Sequence, residues 1–246
     1  MEVIPVRGLA EVKPGKDLGA LIVAALRRGR LSLKRGDVVV VKQKAVSKAE
    51  GRLVRLADVV PGARAERLAK SQGKDPRLVE LILRESVRVV RAGHGVIITE
   101  TRHGFICANS GVDQSNVGRG VAALLPVDSD RSAREIRATL EKASGTRLAV
   151  VVTDTFGRPW RLGQTDVAIG CSGIDPLVRY AGKRDKFGYT LRVTQPAVVD
   201  EIAGAAELVL GKLGGTPVAI VRGASYSRGD TGVRPLVMPR ARDLFR

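Results

Sequence analysis

Apolar residues recur at two spacings along this chain, one helical and one extended. Asp17 precedes Leu18, Leu21, Ile22, Ala25 and Leu26, which share one face of a predicted helix that Asp17 can cap. Arg27 and Arg28 suit its C-terminal dipole, and Gly29 can end it. Asp75-Pro76 opens a second helix with Leu78, Leu81 and Ile82 as its buried stripe. Ser132 with Glu135 reads as a capping box, with Ile136 and Leu140 inward and Gly145 closing that helix. Pro196 begins a fourth, with Val198, Val199, Ile202, Ala206 and Val209 inward. Short runs rich in β-branched residues predict strands at 38–41, 96–99, 105–108, 148–152, 167–169, 191–194 and 218–221. The stretch "ETRHG" between the second and third runs predicts a hairpin, hence antiparallel pairing. Helices and strands do not alternate cleanly enough for a doubly wound sheet. The expectation is α+β: mixed and antiparallel sheets, flanking helices and two intimately packed lobes.

Composition narrows the class. The 246 residues suffice for one large domain or two small lobes, and 44% hydrophobic content excludes a disordered tail. The N-terminus has no signal-peptide h-region, and no apolar run approaches the ~20 residues of a membrane helix. A soluble cytoplasmic protein that needs no membrane is expected. Cys107 and Cys171 lie in apolar, strand-like stretches and read as buried free thiols. With only two histidines, zinc chemistry is not expected. The net charge of +17 suits a polyanionic partner, or reflects the composition of the source organism. Aromatics make up only 3%, too few for the stacking platforms of single-strand binders, so nucleic acid is not the expected partner.

The candidate chemistry lies at strand ends. No Walker-type phosphate loop and no complete dinucleotide fingerprint occurs. Instead "VVVTDTFGRPW", residues 150–160, runs from a buried strand into Asp154, flanked by Thr153 and Thr155. "FICANSGVDQSNV", residues 105–117, repeats that design with Asp113 and Asn116. Two carboxylates with amide and hydroxyl oxygens form the hard-oxygen set that Mg²⁺ or Mn²⁺ prefers, yet both acids could simply form Asx turns. "VKQKAVSKAEG", residues 41–51, puts Lys42, Lys44 and Lys48 after a strand, where they could meet phosphates or guard a solvated edge. "RYAGKRDKFG", residues 179–188, is either a landing strip for an acidic substrate or a surface loop.

Together "VSKAEGR" (46–52), "NSGVDQSNV" (109–117), "VVTDTFGRPWRLGQTDVAIGCSG" (151–173) and "DEIAGAAELVLGK" (200–212) resemble the γ-glutamyl ligases of the deazaflavin coenzyme F420. The resemblance is nearest to the ligase half of the actinobacterial bifunctional enzymes. With the chain ending at Arg246, it implies one ligase domain over 1–246 and no nitroreductase-like domain. It further implies a GTP-dependent ligase that joins L-glutamate to coenzyme F420-0, then adds glutamates through γ-linkages by way of an acyl phosphate. The implied cofactors are Mn²⁺ or Mg²⁺, as two ions, and K⁺; the implied assembly is a homodimer. By motif, Asp113 and Asp154 would bind the divalent metal and Thr155 a second ion. Leu9, Gln43, Lys44, Lys48, Asn116, Leu210 and Gly211 would contact GTP. Asp113, Asp154 and Lys48 would serve catalysis. In archaeal members an acid in the 210–212 turn helps hold the second metal, whereas this chain has Lys212. From charge alone, Arg158, Arg161, Lys183 and Arg184 are the residues expected to receive the anionic substrate. Two other functions compete: a basic nucleic-acid-binding protein, and a non-catalytic nucleotide-binding relative.

Overall fold

The computed structural model describes residues 1–244, so the last two residues of the expected 1–246 domain lie outside the described residues. The chain begins with β1 (Glu2–Pro5), α1 (Leu18–Arg28), β2 (Val38–Lys42), α2 (Gln43–Ala49) and β3 (Leu53–Arg55). It continues through α3 (Ala63–Gln72), α4 (Pro76–Arg84), β4 (Ser86–Gly93), β5 (Val96–Thr101), β6 (Ile106–Ala108) and β7 (Val121–Ala123). Then follow α5 (Ser129–Ser144), β8 (Ala149–Arg158), β9 (Arg161–Ser172), α6 (Val198–Leu210) and β10 (Val218–Arg222).

The main sheet has the order β1-β10-β2-β8-β9, with β2 and β8 parallel and every other pairing antiparallel. Val38 to Val41 and Val150 to Val152 are fully buried because helices cover both faces of these central strands. On one face Ile22 and Leu26 of α1 and Ile136 and Leu140 of α5 pack on Val39, Val41, Val150 and Val152. On the other, Val199, Ile202 and Ala206 of α6 pack on Val38, Val40 and Val151. Gly170 lets β9 pass hard against the start of α5, since a Cβ there would stand 2.4 Å from the backbone carbonyl of Ser129.

A second lobe, residues 53–124, is inserted between α2 and α5. Its own core joins Leu56, Ala65, Ala69, Val79, Ile82 and Ile97, set among α3, α4, the antiparallel β4-β5-β6 sheet and the β3-β7 pair. The expected hairpin is the β5–β6 pairing. Phe105 meets Phe156 of the main lobe edge to face, with centroids 6.2 Å apart. Arg52 ties the lobes together by an ion pair to Glu85 at 2.6 Å, while its Nε donates to the Leu125 carbonyl of the main lobe at 3.0 Å. The expected α+β architecture of two packed lobes is present. Among the described residues, no helix is long and apolar enough to cross a membrane.

Four local expectations are corrected. α5 is capped by Asp128, whose Oδ1 accepts from the Arg131 amide at 2.9 Å, not by a Ser132–Glu135 box. Ser132 lies inside the first turn and donates to Glu50 Oε1 at 2.5 Å, while Glu135 pairs with Arg131. α6 starts at Val198, because the Pro196 carbonyl is engaged by the Val178 amide. Residues 191–194 form no strand: they return along an exposed excursion over 178–196 that meets no sheet edge. The run at 167–169 is the inner part of a twelve-residue strand, β9, which pairs with β8 out to Arg158 and Arg161.

Candidate functional site

A cleft of about 880 Å³ opens where the C-terminal ends of the parallel neighbours β2 and β8 face the second lobe. Ligands favour this position in open sheets. Five segments line it: residues 9–12, the β2–α2 junction, the turn after β6, the β8–β9 ladder and the loop after α6.

The turn after β6 is built to aim Asp113. Asn109, Ser110 and Gly111 all have left-handed backbones, with φ of 55°, 54° and 70°. For the two non-glycine residues this costs about 1–3 kcal/mol each and persists only where the surroundings impose it. Here the Ser110 amide donates to Thr99 Oγ1 at 2.9 Å, its hydroxyl donates to the Ile82 carbonyl at 3.0 Å, and a Cβ on Gly111 would strike Leu125. Asp113 then makes a two-way backbone bridge with Ala123 and turns its carboxylate into the cleft. Its Oδ1 accepts from the Ser115 amide at 2.8 Å, which is an Asx turn. Its Oδ2 accepts from the Lys44 ammonium at 2.7 Å and from the Ser115 hydroxyl at 2.8 Å. Burial alone would raise this carboxyl; the Lys44 and Ser115 donors outweigh burial and hold it below the ordinary range.

Asp154 faces the same cleft from β8. Burial pushes its carboxyl up to about 6, and the negative charges of Asp166 and Asp113 add to that, while the Thr155 amide opposes it. Two acids that raise the charge cost of one carboxylate make a place for a cation. The described residues contain no group of three or more His, Cys, Asp or Glu that could hold a metal alone. Asp113 and Asp154 therefore fit an ion whose other ligands are phosphate oxygens and water, which is the habit of Mg²⁺.

Leu9, Gln43, Lys44, Lys48, Asn116 and Gly211 all line the cleft. Gln43 is buried, and its Oε1 accepts from the Ser47 hydroxyl at 2.8 Å. The Lys48 ammonium has no hydrogen-bond or ion-pair partner among the described residues. Asn116, itself left-handed at φ 57°, donates to the Lys212 carbonyl at 3.4 Å and so links the two walls. Leu210 is different: its side chain is buried in the core beneath α6 and does not line the cleft. Arg158 and Arg161 lie at the exposed tip of the β8–β9 hairpin, and Lys183 and Arg184 on the 178–196 excursion. None of these four lines the cleft.

Two residues beside the cleft escaped the sequence reading, Asp166 and Glu207, and Lys42, read only as a strand-end lysine, joins them. Asp166 is directly opposite Thr155 in the hairpin register and accepts its hydroxyl at 2.5 Å. Although almost fully buried, it lies 3.9 Å from the Lys42 ammonium and 3.7 Å from that of Lys212. Glu207 of α6 bonds Lys42 through Oε2 and stands 3.3 Å from Lys212 through Oε1. Lys212 also donates to Thr155 Oγ1. The place the sequence reading gave to a second ion is thus taken by an ammonium, and Thr155 does not fit an additional metal in this arrangement. The signal for Asp166 was its register with Thr155, readable only once the hairpin is known.

Residues 8–223 match the family model described as F420-0:Gamma-glutamyl ligase. Similar proteins include the coenzyme F420:L-glutamate ligase of Methanothermobacter thermautotrophicus, 46% identical across 100% of this chain and 99% of that protein. The enzyme of that name from Methanopyrus kandleri is 43% identical over 100% of this chain and 98% of its own. That of Methanocaldococcus jannaschii is 43% identical over 86% of this chain and 85% of its own.

Proposed function

This chain belongs to the F420-0:γ-glutamyl ligase family, and on that premise we propose that it is a GTP-dependent ligase acting on coenzyme F420-0 and L-glutamate. It adds glutamate, then further glutamates through γ-linkages, by way of an acyl phosphate. The observation that carries this reading is the meeting of Asp113 and Asp154 with the ammoniums of Lys42, Lys44, Lys48 and Lys212 in one cleft.

Amide formation from a carboxylate is uphill in water, so the acid must first be activated. A carboxylate oxygen of the acceptor attacks the γ-phosphorus of GTP, the bond to the bridging oxygen breaks, and GDP leaves. The glutamate amine then attacks the acyl carbon, phosphate departs with the C–O bonding pair, and the amine loses a proton. Phosphoryl transfer asks a protein mainly for positioning and charge neutralisation. Asp113 and Asp154 would hold the Mn²⁺ or Mg²⁺ ion, which when bound offsets phosphate charge. Lys44 keeps Asp113 ionised, and Lys48 brings an uncommitted ammonium to the phosphates. Leu9, Gln43, Asn116 and Gly211 shape the nucleotide's space.

A homodimer belongs to the same reading. Leu162 on one projection, and Phe187 and Val193 on the other, are 99%, 83% and 90% exposed, a load of apolar surface suited to a partner subunit. Light scattering in solution checks it. A potassium requirement is checked by exchanging KCl for NaCl. The mechanism itself is tested with coenzyme F420-0 labelled with ¹⁸O in its acceptor carboxylate. One labelled oxygen should appear in the released phosphate; unlabelled phosphate would exclude the acyl phosphate.

A further inference from the structure

The wall of the cleft opposite Asp113 holds a closed set of charges. Two carboxylates, Asp166 and Glu207, alternate with two ammoniums, Lys42 and Lys212. Asp166 is only 1% exposed, and a carboxylate at such depth is costly unless cations surround it. Lys42 does this from a fixed strand end, held by Glu207 and by the Gly211 carbonyl at 3.0 Å. Lys212 does it from a different kind of support. It follows Gly211, whose backbone of φ 54° and ψ −168° is open chiefly to glycine, and precedes Gly214 and Gly215. Its side chain remains 52% exposed toward the cleft.

Three oxygens of different origin converge on the Lys212 ammonium: Thr155 Oγ1, Asp166 Oδ1 and Glu207 Oε1. A hydroxyl and two carboxylates converging from a strand, its hairpin partner and a helix are the donor set of a hard cation. Here the cation is part of the chain.

We propose that Lys212 is a tethered cation that takes, by covalent attachment, the place of an exchangeable second metal ion beside Thr155, leaving this chain a single divalent site at Asp113 and Asp154. The proposal rests on the reading that those two aspartates hold a divalent ion. It assigns Lys212 a positioning role that no metal concentration can titrate away: its charge, 52% exposed and on the cleft, faces phosphate oxygens entering between the two walls. The Asn116 hydrogen bond to the Lys212 carbonyl sets the tether's height.

The test counts ions and needs no turnover. Bound Mn²⁺ is measured by electron paramagnetic resonance of the free ion, with saturating GDP, for the intact protein, Lys212→Glu and Lys212→Gln. Counts are corrected for Mn²⁺ held by free GDP. The expected result is one Mn²⁺ per chain for the intact protein and two for Lys212→Glu. Lys212→Gln, which removes the charge at nearly constant length, should also reach two, at weaker affinity, and it stands in if the glutamate variant fails to fold. Two ions on the intact protein, or one on every folded variant, would overturn the proposal. A failed ligase reading would show separately, as correct counts with no GTP turnover.

Discussion

Replacing Asp154 by asparagine should stabilise the ligand-free protein while destroying its activity. In the fold this carboxyl is pushed from its ordinary 3.8 to about 6, first by burial and then by the charges of Asp166 and Asp113. The native state therefore prefers the protonated acid. Between about pH 4 and pH 6 the unfolded chain gives up its proton while the native protein keeps it. Stability falls with rising pH through that window, and the loss is complete above it. A shift from 3.8 to about 6 corresponds to about 3 kcal/mol at most. Asparagine has nearly the same shape and no charge, so Asp154→Asn should gain roughly 1–3 kcal/mol near pH 8 and nothing near pH 4. Urea unfolding of both proteins at the two pH values, without metal or nucleotide, measures this directly. Mn²⁺ with GDP should then stabilise the parent and leave the variant unmoved. A variant no more stable than its parent near pH 8, or an equal gain near pH 4, would refute the electrostatic account of this residue.

Other consequences are simpler. Lys44→Met removes the donor that holds the Asp113 carboxyl down, so the pH at which acid releases Mn²⁺ should move upward, as followed by paramagnetic resonance. Gly170→Ala would force a Cβ to 2.4 Å from the Ser129 carbonyl and shift the start of α5, costing about 1–3 kcal/mol in urea unfolding. Burial pushes both the Cys107 and Cys171 thiols up to about 12, so a thiol reagent at pH 8 should label neither until urea unfolds the chain.

What could be read from the residues follows from where each faces. Val38 to Val41 and Val150 to Val152 are buried on both sides, and a run of valines carries that directly. The α1 and α4 helices carry their caps, Asp17 and Asp75, in the sequence. The β8–β9 hairpin was not legible beyond its inner half, since Thr153 to Asp166 turn toward the cleft and solvent and lose apolar alternation. Residues 191–194 look like a strand, but Val193 is 90% exposed with no sheet beside it. In the site, Asp113 and Asp154 were visible as acids at strand ends. Glu207 reads as the polar face of an amphipathic helix and Lys42 as an edge lysine. Their union with Asp166 and Lys212 is made by the fold, which brings together three segments far apart in sequence: the end of β2, the β9 strand, and the end of α6 with the turn after it.

The measurement closest to the central claim is a product assay on the purified protein. Coenzyme F420-0, L-glutamate, GTP and Mn²⁺ are incubated with it, and the coenzyme is weighed by mass spectrometry while guanine nucleotides are separated. The account predicts a coenzyme heavier by one or more glutamyl residues, one GDP for each residue added, and neither product with Asp154→Asn. An unchanged coenzyme mass with no GDP, or full activity in that variant, would contradict it.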